Sequence, residues 1–453
     1  MQAPTRQGDW PPPLTGWYAV GVLTIAYIFS FIDRTILALL VDPIKTDLAL
    51  SDTQIGVLGG FAFVVFYTLM GLPIGWLADR KRRNLIIAAG IFTWSLTTAA
   101  CGLAKNFGQL ALARVGVGVG EAALSPPAFS MIADYFPPHR LGRPMGVYNS
   151  GIFMGVALAF ILGGAIVQFF NNAPPVDLPV IGRVVTWQLA FIVVGLPGIL
   201  VAALMLTVRE PPRRGVTTAE AGSLRSLCRW MKERRGAMVA HMFGFAILGM
   251  PVQAVFLWAP TFYIRRFDYS PGEVGLTLGL LALIFGAGGM MAGGWLADWF
   301  KGRGHDDAPM RVGVVGAIGS APFALTAGLA DSAPLALAMM APLVFFICCG
   351  VTAAPTALQL ITPNHYRGQV SAIYMFVLNL IASGLAPFLV GYFTDSLFRD
   401  PTAVGKSLAL VGIASPVAGV VLMLGLKAFR RAAGLGDTDA TPGATGQAST
   451  VSS

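Results

Sequence analysis

Twelve times along this chain a run of about 17 to 25 residues passes with almost no charge, the length a helix needs to cross the hydrocarbon of a bilayer. The runs begin near Trp17, Thr53, Asn84, Phe107, Arg143, Trp187, Ala237, Pro271, Val312, Pro334, Gly368 and Gly405. In hydrocarbon every backbone N–H and C=O must be satisfied within its own segment, so runs of this kind are read as helices. The fold class expected is an all-α integral membrane protein with twelve transmembrane helices. Composition agrees: apolar residues make up 55% of the chain and charged residues 12%, with a mean hydropathy of +0.69, outside the balance of soluble domains.

The chain also repeats itself. Residues 75–79 and 294–298 both read GWLAD, each closing the second run of its half, and HRLGRPMGVY at 139–148 has a weaker echo in HYRGQVSAIY at 365–374. The copies stand in the same order at similar offsets, so the helices divide into two parallel six-helix pseudo-repeats, a plan that places a substrate site between the halves near the midplane. The organisation expected is an N-terminal tail over 1–15, six-helix bundles over 16–208 and 237–430, a cytoplasmic linker over 209–236 and a disordered tail over 431–453. Within the linker, Leu224 to Arg235 has the pattern of a basic amphipathic helix lying on the membrane surface, with a solvated linker as the alternative.

A formal net charge of +9 raises nucleic-acid binding, and the placement of the charge argues against it. Lys and Arg crowd into alternate loops, four in 78–84 and eight in 209–236, whereas the intervening loops hold only Lys45, Lys105, Arg183, Arg265, Arg266, Arg399 and Lys406. That asymmetry follows the positive-inside rule and puts both termini in the cytoplasm, as for a protein of the bacterial inner (plasma) membrane. The opening MQAPTRQGDWPPPL lacks a signal-peptide pattern, so the first span is expected to be retained. Cys101, Cys348 and Cys349 fall in spans and Cys228 in the linker, without metal-type spacing, and read as small apolar fillers.

Two of the spans carry charge where charge is costly. In RVGVGVGE, Arg114 and Glu121 are close to two helical turns apart, so they leave one face about 10 Å from each other along the axis. In FIDR, Asp33 and Arg34 are adjacent and point about 100° apart. An ionised group at bilayer depth costs roughly 2.5 kcal/mol or more unless paired or wetted, so these residues should face the bundle interior or a water-filled pathway. Counted from the outer ends of their spans, Arg34 and Arg114 lie roughly 10 Å deep, Asp33 about 12 Å and Glu121 near 20 Å. Asp33 is therefore expected to meet Arg114, with Glu121 one layer further in. The set reads as a proton switch: an acid keeps its charge beside an arginine in a wet site, and takes a proton when the arginine turns to a substrate anion and water leaves. Asp33 is the first choice for that role and Glu121 the second. Arg114, with Arg34 behind it and Glu121 lining the same site, would hold an anionic group through paired N–H donors. A static network that fixes helix packing is the plainer reading.

Pro126 and Pro127 follow Glu121 by about one turn and should bend the fourth span, as a hinge or as a fixed kink. At the inner ends, GLPIGWLADRKRR over 71–83 gathers Gly75, Asp79, Arg80 and Arg83, and Asp134 ends the fourth span. Carboxylate, guanidinium and carboxylate at 79, 83 and 134 would make a conformational latch, although basic residues after a span also serve topology alone. The second half has little buried charge and offers Gln253, Trp258, Thr352, Gln359, Asn379 and Ser383. A charged half facing an apolar one suits an amphiphile. No phosphate-cradling Gly loop, no Cys/His cluster and no nucleophile–His–acid set is present, so neither an enzyme nor a cofactor or metal site is expected.

Gly75 to Arg80, its echo at Gly294 to Asp298, and RxxxGxG over Arg114 to Gly120 together resemble the major facilitator superfamily over nearly the whole chain. FIDR with GEAALSPPAFSMIADYFPPHRLGRPMGVYNSG is similar to the Spinster family, whose members move lysophospholipids or sphingosine phosphate with proton coupling. The resemblance implies Asp33 and Glu121 as proton-linked acids, Arg34 and Arg114 as their partners and headgroup contacts, and Asp79, Arg83 and Asp134 as the inner latch. A monomer is expected, with a small amphiphile, protons and the bilayer as its partners. Departures from the pattern are Arg82, where the loop has Gly, and Trp299, where the second copy lacks an Arg. The organic-anion:cation symporters of the same superfamily, carrying a sugar acid, are the nearest alternative. A lipid-sensing receptor would not need Asp33, and a passive channel would not need two alternating halves.

Overall fold

The computed structural model describes residues 10–137, 140–171, 176–178, 182–213, 224–363 and 366–434. Residues 1–9, linker residues 214–223, most of the expected C-terminal tail and the two repeat histidines His139 and His365 lie outside them. Among the described residues, eleven helices are long and apolar enough to cross a membrane: Pro13–Leu39, Asp52–Ala78, Arg83–Cys101, Gly142–Phe170, Thr186–Leu206, Arg235–Phe267, Pro271–Gly302, Ala308–Leu329, Ala333–Ile361, Arg367–Phe398 and Pro401–Ala432. These are spans one to three and five to twelve. The fourth span is interrupted: Phe107–Glu121 and Ser125–Tyr135 are separate helices joined by a turn at 122–124, and each is short for a crossing on its own. Pro126 and Pro127 stand in the first turn of the second piece, where a missing N–H breaks no helical bond. The expected bend is thus a break placed directly after Glu121. Between spans five and six a short antiparallel ribbon pairs Val176–Leu178 with Gly182–Val184, the only strands among the described residues.

An even number of crossings brings both ends of the helical core to one face, the terminal side; the opposite face is the far side. Spans one to six pack mainly on one another, one on five, two on four, and three on four and six. Spans seven to twelve do the same, seven on twelve, eight on ten, and nine on ten and twelve. The two sets meet along spans two and eleven and along spans five and eight. Those seams are tight only toward the far side. A Cβ on Gly56 would stand 2.6 Å from the Pro387 carbonyl oxygen, one on Gly60 2.5 Å from that of Gly384, and one on Gly164 2.5 Å from that of Pro271. Only glycine lets backbones approach this closely. On the terminal side the same four helices diverge: a Cβ on Gly71, Gly75, Gly142, Gly146, Gly294 or Gly368 would meet nothing within 4 Å. The molecule is closed at the far side and open at the terminal side.

The linker forms a helix over Leu224–Glu233. Leu227 and Trp230 are buried, with the Trp230 ring 5.7 Å from that of Tyr366. Protein takes up Leu227 and Trp230 of this helix, a contact in neither the membrane-surface nor the solvated-linker reading, and Arg225, Arg229 and Lys232 remain exposed.

Candidate functional site

The four charged residues of spans one and four converge, in different pairs from those their depths suggested. Arg34 Nη2 donates to Glu121 Oε2 at 2.7 Å, and Ser30 Oγ donates to the same oxygen at 2.8 Å. Ser30 and Arg34, one helical turn apart, share a face of the first span. Arg114 does not pair with the Asp33 carboxylate; its Nη1 donates to the Asp33 backbone carbonyl at 3.3 Å and its Nε to the Leu58 carbonyl at 3.4 Å. The correction is one of reach. The long Arg34 side chain bridges to Glu121 across the layer that rise per residue had set between them. The short Asp33 side chain turns instead to the third span, toward Thr98 and Trp94.

Asp33, Arg114 and Glu121 are buried, whereas the Arg34 side chain is 27% exposed. Arg34 is therefore the least buried member of the set. Its guanidinium lies over the rings of Phe63 at 4.4 Å, Phe31 at 5.0 Å and Tyr67 at 5.2 Å, and Arg114 approaches the same Phe63 ring at 5.6 Å. Aromatic faces attract a partly desolvated cation without neutralising it. Glu121 ends its helix, with Arg34 and Ser30 both donating to one of its oxygens. Much hydrogen-bonding capacity is left over: both Asp33 carboxylate oxygens, Arg34 Nε, Arg114 Nη2 and Glu121 Oε1 are buried without a hydrogen-bond partner. Native interiors leave few such groups, and a half-satisfied charged network is a poor static brace.

In the second half, Gln253 Nε2 donates to Ser383 Oγ at 2.6 Å, joining spans seven and eleven, and Trp258 is buried with its Nε1 on the Pro387 carbonyl at 2.9 Å. Thr352 bonds back to the Cys348 carbonyl of its own helix, Gln359 is exposed, and Asn379 opens a π-helical turn over Asn379–Leu385. Ser30, Phe63 and Tyr67 were missed by sequence reasoning; the only signal was the one-turn spacing of Ser30 and Arg34.

At the terminal side Arg83 is buried and fully engaged. Its Nη1 donates to Asp134 at 2.5 Å and to Ser130 at 2.7 Å, its Nε to Glu210 at 2.7 Å, and its Nη2 to the Pro211 carbonyl at 3.2 Å. Asp79, expected as the second acid, is exposed, and its backbone carbonyl accepts from Arg213. Arg80 is exposed as well, with its guanidinium 4.0 Å over Trp76, and Gly75 has open space beside it. Glu210 takes the place expected for Asp79 because the chain leaving span six turns back beneath span three. There its second oxygen accepts from the Asn84 N–H at 3.1 Å, at a helix N-terminus that favours an anion. The signal for it was an acid directly after the sixth apolar run. Spans three and four of the first half and the start of the linker supply these contacts, so the cluster clamps the linker onto the first bundle.

A family model described as Major Facilitator Superfamily matches residues 23–387. An MFS-type efflux pump of Mycolicibacterium smegmatis is 28% identical over 426 residues, covering 92% of this chain and 94% of that one. A probable L-galactonate transporter of Escherichia coli is 28% identical over 395 residues, 83% of each chain. Among solved structures, a bacterial homolog of the human lysosomal transporter Spinster, in an inward-facing and unoccupied conformation, superposes with a TM-score of 0.79 at 27% identity, over 93% of this chain and 99% of that one.

Proposed function

The chain belongs to the Major Facilitator Superfamily, and from that membership we propose a secondary transporter that works by alternating access, is driven by protons, and carries an amphiphilic anionic or zwitterionic lipid such as a lysophospholipid or sphingosine phosphate. One observation carries this reading: the partly exposed Arg34–Glu121 pair beside a buried Asp33 carboxylate that forms no ion pair among the described residues. An anionic headgroup that draws Arg34 toward itself, aided by the free Nη2 of Arg114, leaves Glu121 without its cation. With Asp33 close by, two uncompensated acids then favour uptake of a proton. Two acids and two bases balance when the site is empty, and one anion entering with one proton keeps that balance. The rings of Phe31, Phe63 and Tyr67 and the sparse polarity of the second half offer an apolar wall to a hydrocarbon chain.

The family and fold are those of membrane transporters rather than of enzymes. By the positive-inside distribution the terminal side is cytoplasmic, so the open form faces the cytoplasm with both termini there. Both bundles and the charged site lie within one chain, which supports a monomer. A second reading, a sugar acid whose carboxylate meets the same guanidiniums, is supported by the similarity to the L-galactonate transporter. Uptake into proteoliposomes under an imposed pH gradient separates them, with a lysophospholipid and a hexuronate as the two probes. Lysolipid movement that follows the gradient supports the lipid reading. Hexuronate movement alone transfers the chain to the sugar-acid reading, and movement indifferent to the gradient removes the proton from either.

A further inference from the structure

The second half has one polar contact at the depth of the charged site, and the coupling scheme above gives it no task. Gln253 of span seven donates from Nε2 to Ser383 Oγ of span eleven at 2.6 Å. Its amide oxygen accepts no hydrogen bond among the described residues. Span seven is enclosed by spans ten, eleven and twelve, and between Ala237 and Tyr263 the one polar side chain it leaves at least partly exposed is Gln253. Ser383, also partly exposed, lies in the π-helical turn Asn379–Leu385, a local form found frequently at functional sites. Counted from Phe267 and Phe398, where their spans end, both residues stand roughly 20 Å deep, the level of Glu121. A Cβ on Gly60 would stand 3.1 Å from the Ser383 carbonyl oxygen, and one turn along span two from Gly60 is Phe63, over whose ring Arg34 lies. The amide and the arginine are thus set across the seam of spans two and eleven, with about one turn of span two between them.

We propose that Gln253, its amide held in place by Ser383, accepts a hydrogen bond from a free hydroxyl that lies beside the anionic group of the substrate, and that this contact selects single-chain lipids from the diacyl lipids around them. The inference rests on the reading of Arg34 and Arg114 as the anion site. With Nε2 tied to Ser383 the plane of the amide is fixed, and its oxygen is left as an acceptor with no donor. That acceptor suits a neutral O–H rather than a cationic amine, which calls for an acid. The acids within spans seven to twelve are Glu273, Asp298 and Asp395, each within about a turn of a span end and far from this level. In a lysophospholipid the free hydroxyl is on the carbon next to the one that bears the phosphate, and in a diacyl lipid that oxygen is esterified and donates nothing. A site built to bond a substrate hydroxyl disfavours the analogue without it, because its own acceptor is then desolvated and unpaired. A hexuronate presents the same chemistry, a carboxylate with hydroxyls close by.

The test is a ratio of affinities, measured on the full chain in nanodiscs with radiolabelled oleoyl lysophosphatidate. Unlabelled lysophosphatidate and its 2-O-methyl ether, which keeps the phosphate and loses the donor, serve as competitors. The ether is expected to bind the unaltered protein about tenfold more weakly, the factor one hydrogen bond and an unpaired acceptor carry. Gln253→Met, of similar length and apolar, should bring the free-hydroxyl form down to the level of the ether and leave the ether nearly unchanged. Ser383→Ala, which lets the amide turn, should fall between. A bond that only braced spans seven and eleven would shift both affinities together, so a ratio near one in the unaltered protein, or a full ratio kept in Gln253→Met, overturns the proposal. Arg114→Ala separates the two readings: it is expected to weaken both competitors alike and preserve the ratio, and if it weakens neither, the anion site fails whatever the ratio shows. Should the protein bind glucuronate and not lysophosphatidate, the lipid half of the proposal is overturned and glucuronate against its 4-O-methyl ether decides the hydroxyl contact by the same ratio. Binding of neither probe overturns the whole.

Discussion

Asp33 and Arg34 are consecutive in the chain, yet one is a buried acid without an ion pair and the other a partly exposed cation on an aromatic surface. That divergence separates two experiments. Asp33→Asn is expected to leave ligand binding nearly intact and to abolish accumulation against a pH gradient, while exchange at equal pH continues; a variant that still accumulates substrate like the unaltered protein removes Asp33 from the coupling role. Arg114→Ala should weaken an anionic ligand by roughly tenfold or more, through loss of a charged donor, and unaltered affinity by isothermal titration would take Arg114 out of the site. All four charged positions were legible in sequence, because a charge in an apolar run shows without knowledge of its neighbours. Their pairing was not. It depends on how far a side chain reaches and on which way each helix is turned about its axis, and no local pattern encodes either. Ser30, Phe63 and Tyr67 were hidden for another reason: serines and aromatic rings are ordinary filler in a transmembrane helix.

At the scale of elements, the two halves hold their terminal ends by the same contact with its signs exchanged. In the first half the start of span three supplies the cation, Arg83, and the segment after span six the acid, Glu210. In the second half the start of span nine supplies the acid, Asp307, held at 2.8 Å by Arg311 and at 2.8 Å by Arg430 from the end of span twelve. The repeat in GWLAD was visible as identity; this one could not be, since a search for like residues passes over a reversed pair. Arg83→Ala, which strands two carboxylates, is expected to cost about 3–5 kcal/mol, read as a loss of melting temperature in detergent. Asp79→Asn should stay within about 0.5 kcal/mol, and comparable losses in the two would return Asp79 to the cluster. For Asp307, burial disfavours the charged form, but the hydrogen bonds from Arg311 and Arg430 outweigh it and hold the carboxyl below the usual carboxylate range. A pKa lowered on folding contributes stability that is full above the unfolded value and is lost as pH falls through the folded one. The melting-temperature gap between the unaltered protein and Asp307→Asn is thus expected to be constant near neutrality and to shrink below about pH 4. A gap that persists in acid would mean that Asp307 does not stabilise through its charge.

For the molecule as a whole, run length and internal repetition carried the fold, because a bilayer leaves the backbone few alternatives. The fourth span was legible as a bent helix from Pro126 and Pro127, and only the structure shows that the bend is a break which makes Glu121 a helix terminus. The relative pose of the halves was not legible. A pose that changes during a cycle belongs to the balance between two seams rather than to any one segment, and Arg265, which pairs with Asp42 and Asp52 across the far seam, looks in sequence like one more loop arginine.

Along spans two, five, eight and eleven, Gly56, Gly60 and Gly164 are crowded toward the far side, whereas Gly71, Gly75, Gly142, Gly146, Gly294 and Gly368 are unencumbered toward the terminal side. A valine at Gly146 has room, so melting curves should record it as silent. If the terminal ends must later come together as the far ends have, the same valine will stall turnover, and transport close to that of the unaltered protein would refute this. Screens that rank variants of this chain by thermal robustness alone would then enrich for molecules that survive well and carry nothing.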